Sequence, residues 1–90
     1  MRVNRSMPRF HLNLTNSIGY VPDQEGAEAD TLDAARGIAL ATIRSLLSDE
    51  IRTGRLDLRG RIDIADPQGT PLTTVAFREA VDLRLDGSPS

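Results

Sequence analysis

The sequence predicts an α+β fold, a two-layer sandwich in which one long helix packs on a four-stranded, mainly antiparallel sheet in the order β-β-α-β-β. Two stretches of alternating apolar and polar residues lie on either side of a single helical pattern. A turn signal and a second β-prone stretch follow each of them. One helix covers only one face of such a sheet, which gives two layers. The strand order stays open between two hairpins side by side and a parallel pairing of the first and last strands.

The length and composition indicate one ordinary globular domain. The chain has 90 residues, of which 39% are hydrophobic and 27% are charged, and a second hydrophobic core does not fit in this length. We assign residues 7–85 to a single α+β domain. Residues 1–6 are predicted to be a disordered N-terminal extension, and residues 86–90, which contain glycine, serine and proline, a disordered tail.

The first hairpin is predicted at residues 9–21. The stretch from Arg9 to Thr15 alternates between polar side chains and the apolar Phe10, Leu12 and Leu14, which is typical of a half-buried strand. Residues 16–19 have the asparagine and glycine of a turn. Tyr20 and Val21 then form a short second strand that ends at Pro22.

An acidic loop without a clear period, residues 23–30, precedes the helical pattern at residues 32–53. Asp30 or Thr31 is the expected N-cap, and Gly54 is expected just after the helix. The apolar side chains fall in one narrow arc of the helical wheel. Leu46 is predicted to be among the most buried residues of this arc, which contains Leu32, Ala35, Ala39, Ile43 and Leu46.

The second hairpin is predicted after the helix. Its first strand is indicated by the alternation of Leu58, Gly60, Ile62 and Ile64 with polar residues, and residues 66–69 form a turn. Its second strand extends from Leu72 to Phe77 and has no charge before Arg78. An uncharged edge strand invites association, so we expect this strand to be internal to the sheet or paired with a second copy. Residues 78–85 are compatible with a short helix or with coil.

The residue inventory argues against an enzyme. The chain has no cysteine and one histidine, His11, which excludes disulfides, thiolate nucleophiles and multi-histidine metal sites. No serine or acid stands at a motif spacing from His11, and the acidic run that begins at Asp23 lacks the ligand spacing of a calcium loop. The sequence therefore predicts no catalytic, metal or cofactor-binding residue.

Charge and targeting signals indicate a cytoplasmic protein without a membrane segment. The net charge is −2 and all eleven basic residues are arginine, which gives no overall attraction to nucleic acid. No apolar stretch follows Arg2 and Arg5, as a signal peptide requires. If the first and third strands share a sheet face, one polar patch is expected as a partner contact: Arg9, His11, Asn13, Arg59 and Arg61.

Several short motifs resemble one bacterial family, the domain of unknown function 6894. They are the opening Met-Pro-Arg-Phe-His-Leu-Asn-Leu at 7–14, Asp-Gln-Glu-Gly at 23–26, Leu-Asp-Ala-Ala-Arg at 32–36, and Arg-Ile-Asp-Ile at 61–64 before a closing strand that ends at Phe77. The resemblance covers residues 7–80 and implies a small stand-alone protein. The family has no established activity, so the resemblance implies no site residue.

These observations predict a non-enzymatic interaction module that forms a homodimer or binds a protein partner. The open face and edges of a sheet covered by one helix are the expected contact surfaces. The small side chains of Gly37, Ala41 and Ser45 on the helix are the second choice. The alternative is a nucleic-acid-associated or antitoxin-like regulator that uses the arginine and histidine patch.

Overall fold

One antiparallel sheet and one long helix are the main elements of the fold, as the sequence predicts. The computed structural model describes residues 8–85 and residue 87. The predicted extension at 1–6 lies outside the described residues, as do residues 86 and 88–90 of the predicted tail. The elements are β1 (Arg9–Thr15), β2 (Tyr20–Val21), β3 (Ala27–Glu28), α1 (Leu32–Ile51), β4 (Arg61–Ala65), β5 (Pro71–Ala76) and a 3₁₀ turn (Phe77–Ala80).

The two predicted hairpins lie side by side in the sheet. The strand order is β2-β1-β4-β5, and each neighbouring pair is antiparallel. The sheet has five strands rather than four, because β3 inside the acidic loop pairs with the start of β1. Two residues are too few to show a period of two, so the sequence pattern did not reveal β3.

Asparagine and aspartate side chains close the two hairpin turns. Asn16 Oδ1 accepts hydrogen bonds from the N–H groups of Ile18 and Gly19. Asp66 Oδ1 accepts from those of Gln68 and Thr70. These side chains imitate a backbone turn, so both predicted turns are confirmed.

Helix α1 begins after Thr31, whose hydroxyl accepts a 3.0 Å hydrogen bond from the N–H of Ala34. This contact satisfies one of the free donors at a helix start. The helix ends at Ile51, two residues before the predicted end. The N–H of Thr53 donates to Glu50 O, and the N–H of Gly54 donates to Ile51 O. These bonds span three residues, so the last turn tightens before Gly54.

The prediction that Leu46 is among the most buried residues is wrong. The fully buried helix positions follow a four-residue step: Ala35, Ala39, Ile43 and Leu47. Leu46 is half-buried at the edge of the core. The helix packs on the sheet and also on the 3₁₀ turn, where Arg44 Nε donates a 2.7 Å hydrogen bond to Ala80 O. This second contact moves the buried stripe toward Leu47.

Strand β5 ends at Ala76, one residue before the predicted end of the last strand, and the 3₁₀ turn begins at Phe77. Phe77 leaves the sheet, and its buried ring packs against Gly60, just before β4. A Cβ atom at Gly60 would lie 2.7 Å from this ring, so the close approach requires glycine. The predicted third strand is shorter than its alternating pattern, because Leu58 and Gly60 lie outside β4.

Strand β5 lies at the edge of the sheet, which contradicts the expectation that it is internal. Strand β1 is central in the sheet and pairs with β2, β3 and β4. The remaining part of the sequence-based expectation is that β5 pairs with a second copy.

Candidate interaction surface

The structure separates the five residues of the predicted patch. Arg9, His11 and Asn13 lie on one face of β1, and Arg61 lies opposite Thr15 at the other end of that strand. The six residue-to-residue steps of extended chain from Arg9 to Thr15 span about 20 Å. Arg59 precedes β4. The five side chains therefore lie along β1, β4 and the segment just before β4, and do not form one compact cluster.

Arg9 is held by the acidic segment. Its Nη2 lies 2.7 Å from Glu28 Oε2, and its Nη1 donates to Glu25 O at 3.0 Å. Gly26 allows the Arg9 side chain to lie this close to the loop, because a Cβ atom at Gly26 would lie 2.6 Å from Arg9 Cγ. The φ of Gly26 is +81°. Glycine adopts this left-handed conformation at little cost. Arg9 thus links the acidic loop to the start of β1.

Asp23 makes four hydrogen bonds, of which two join it to His11 and Asn13. His11 Nδ1 lies 2.6 Å from Asp23 O, and Asn13 Oδ1 accepts from the N–H of Asp23 at 2.8 Å. The Asp23 carboxylate accepts from the N–H of Leu12 and from that of Gly26. These bonds fasten the loop to the middle of β1, between its pairings with β3 and β2. Sequence reasoning missed Asp23 as a structural residue.

Arg59 and Arg61 each face a nearby carboxylate. Arg59 Nε lies 2.9 Å from Asp57 Oδ1, and Arg61 Nε lies 3.1 Å from Asp63 Oδ2. The Arg59 guanidinium holds the pKa of Asp57 far below its usual range, and Asp57 raises the pKa of Arg59. The three arginines of the patch are therefore neutralised locally, which weakens their attraction for phosphate.

The outer side of β5 is an open hydrogen-bonding edge. The N–H of Phe77 donates to Gly60 O at 2.9 Å, and hydrogen bonding alternates along an antiparallel strand. This alternation directs the N–H of Val75 toward β4 and the N–H groups of Thr74 and Ala76 away from it. From Pro71 to Ala76 the strand has no charged side chain, and Leu72 is 41% exposed. Charge does not protect this edge against strand addition.

Glu79 occupies the outward position at the end of this edge. Its Oε2 accepts a 2.9 Å hydrogen bond from the N–H of Ala76, and its Oε1 lies 3.1 Å from Arg36 Nη2 on α1. The backbone N–H of Ala76, and then Arg36, lower the pKa of Glu79. We call Pro71–Ala76 together with the Glu79 side chain the β5 edge.

The lowered pKa of Glu79 predicts a pH dependence of stability. A carboxyl group with a lower pKa in the folded state stabilises the fold above its unfolded pKa, and this contribution is lost as the pH falls through the folded pKa. The ordinary value is about 4.5. Between about pH 6 and pH 3, we expect the free energy of unfolding to fall less steeply for Glu79→Gln than for the wild type.

Denaturant unfolding at several pH values measures this dependence. Glu25→Gln, which alters an exposed loop carboxyl, is the control and should keep the wild-type slope. Equal slopes for the wild type and Glu79→Gln would contradict the contribution of Glu79.

An apolar groove of about 380 Å³ lies on the helix layer, away from the β5 edge. It runs between the last turns of α1 and the segment after the 3₁₀ turn. Its apolar lining consists of Leu47, Ile51, Leu56, Val81 and Leu83. It is a second exposed apolar surface of the chain.

No helix of the described residues is long and apolar enough to cross a bilayer.

Comparison with known proteins gives a family and no characterised relative. Searches of curated proteins and of solved structures find no match to this chain. A family model described as a domain of unknown function (DUF6894) matches residues 9–78. The matched range contains all five strands, the helix and the acidic loop fastened by Asp23. The chain therefore belongs to the DUF6894 family.

Proposed function

We propose that the protein is a non-enzymatic interaction module that forms a homodimer in the cytoplasm by pairing the β5 edges of two copies. The observation that carries this proposal is the outer side of β5. It has an unpaired, outward-facing N–H at Thr74 and no charged side chain between Pro71 and Ala76. Such an edge is a template for another strand.

A second copy fits this edge because the strand is complementary to itself. In a two-fold antiparallel pairing centred on Thr74, the Thr74 residues of the two copies face each other and exchange their N–H···O bonds. Thr73 of one copy then lies opposite Val75 of the other, a pair of β-branched side chains that favours sheet pairing. Because the strand is uncharged, no like charges face each other across the two-fold axis. Two-fold dimers are also the commonest oligomers.

The contacts of His11 support a non-enzymatic role. Its Nδ1 is bonded to a backbone carbonyl, and the nearby Asp23 carboxylate accepts two backbone N–H groups. A general base needs a carboxylate or another group that orients the imidazole toward a substrate. Here both side chains fasten a loop to β1. A nucleic-acid role has less support, because Arg9, Arg59 and Arg61 each lie within 3.1 Å of a carboxylate oxygen.

Sedimentation analysis of Thr74→Pro and Thr74→Val tests the proposal. Proline removes the outward N–H of Thr74 and is tolerated on an edge strand, so we expect a dimer at least tenfold weaker than the wild-type dimer. Thr74→Val keeps the N–H and loses only the hydroxyl bond to Asp63, so it should remain dimeric. Thermal melts check that both variants are folded.

Two results would overturn the proposal. One is a wild-type chain that is a monomer at about 100 μM, a concentration at which a micromolar dimer is populated. The other is a folded Thr74→Pro variant that dimerises as tightly as the wild type. The second result would move the interface to another surface, of which the apolar groove beside Ile51 is the next candidate.

A further inference from the structure

From the contacts of Glu79 we infer that its carboxylate limits strand addition at the β5 edge and so sets the affinity of the proposed homodimer. Glu79 Oε2 holds the N–H of Ala76 at 2.9 Å, on the side of β5 that faces away from β4. A second strand would need this donor. This inference rests on the proposed function, because it concerns the same edge.

The carboxylate is fixed in this position from two directions. Its other oxygen, Oε1, lies 3.1 Å from Arg36 on α1, and Glu79 belongs to the 3₁₀ turn that packs under the helix through the buried Phe77 and Ala80. Moving the carboxylate away from Ala76 would also disturb the ion pair with Arg36. Glu79 is therefore an intramolecular competitor that two contacts hold at the edge.

The geometry of two-fold pairing shows what this competition costs. When Thr74 lies opposite itself, Leu72 of one copy, which lies at the bulge of β5 between Pro71 and Thr73, comes opposite Ala76 of the other. A complete pair there needs the N–H of Ala76, which Glu79 already holds. Two-fold symmetry repeats the conflict, so a dimer loses one hydrogen bond at each end of the interface. Hydrogen bonding between the two copies is then confined to the centre of β5.

Glu79→Ala and Glu79→Gln separate the two roles of the side chain. Alanine frees the N–H of Ala76 in both copies, and two added hydrogen bonds should tighten the dimer about tenfold or more. Glutamine keeps a carbonyl oxygen that accepts from Ala76, so its dimer constant should stay within about threefold of the wild type. Sedimentation equilibrium measures the constants, and thermal melts confirm that the variants are folded.

Amide hydrogen exchange of the wild type gives a second measurement that needs no variant. We expect the amide of Thr74 to be protected only at concentrations that populate the dimer. The amide of Ala76, held by Glu79 within each copy, should have the same protection at all concentrations.

The outcomes distinguish the inference from the function on which it rests. Monomers for both the wild type and Glu79→Ala would overturn both proposals. A wild-type dimer whose constant Glu79→Ala leaves unchanged, or an Ala76 amide whose protection rises on dimerisation, would overturn the role of Glu79 alone. A monomeric wild type and a dimeric Glu79→Ala would support the limiting role of Glu79 and overturn self-association of the native chain.

Discussion

Ile43→Ala is expected to lower the free energy of unfolding by about 3–4 kcal/mol, the largest single effect we predict. Ile43 is completely buried at the middle of α1. Its truncation removes apolar contacts and leaves a cavity that close-packed neighbours cannot fill. A domain of this size has a total stability of only about 5–10 kcal/mol. Chemical denaturation of the variant measures the loss.

Ile51→Ala is the matched control, because it makes the same change in the same helix. Ile51 is 55% exposed, so much of its side chain already contacts water in the folded state. We expect a loss below about 1 kcal/mol for this variant. Similar losses for the two variants would contradict the packing of α1 on the sheet through Ile43.

Asp23→Ala is expected to lower the free energy of unfolding by about 2–3 kcal/mol, the second-largest effect. The carboxylate accepts the N–H of Leu12 at 3.1 Å and the N–H of Gly26 at 3.0 Å. Hydrogen bonds to charged groups contribute about 1.5 kcal/mol or more each, and alanine leaves both backbone donors without this acceptor. The loop between β2 and β3 would then be held to the middle of β1 only through the backbone of residue 23, which contacts His11 and Asn13.

Asp30→Ala provides the comparison for the same loop. Asp30 is exposed just before the helix, so its removal should cost below about 0.5 kcal/mol through the helix dipole. Denaturant unfolding gives both values, and amide exchange at Leu12 shows whether the loop has opened. A loss below about 0.5 kcal/mol for Asp23→Ala, or a Leu12 amide that stays protected, would contradict the role of Asp23.

Local patterns explain why much of the fold was predictable. The alternation around Leu12 and Ile62, the Thr31 cap and the turn at Asp66 depend on neighbours a few residues away along the chain. These features report directly on local backbone geometry. The bounds of β1, the start of α1 and the class of the fold were therefore correct from sequence.

The features that the sequence patterns predicted wrongly or missed have a common physical cause, which is contact between residues that are far apart along the chain. Leu47 rather than Leu46 is buried because the 3₁₀ turn, about 30 residues later, packs on the side of α1 that contains Arg44. Strand β3 exists because Arg9 and Asp23 hold a loop without a period against β1. No pattern within a window of the sequence contains these partners.

The sequence by itself determined that the chain is an α+β domain with an uncharged, β-prone strand at residues 72–77 and no recognisable catalytic motif. Only the tertiary structure decided that this strand is an edge and that its last outward N–H, at Ala76, donates to Glu79. It also decided that the arginines of the predicted patch are paired with acidic side chains. The reason is that hydrophobic period and turn chemistry are local, whereas strand order and ion pairing depend on which distant segments meet.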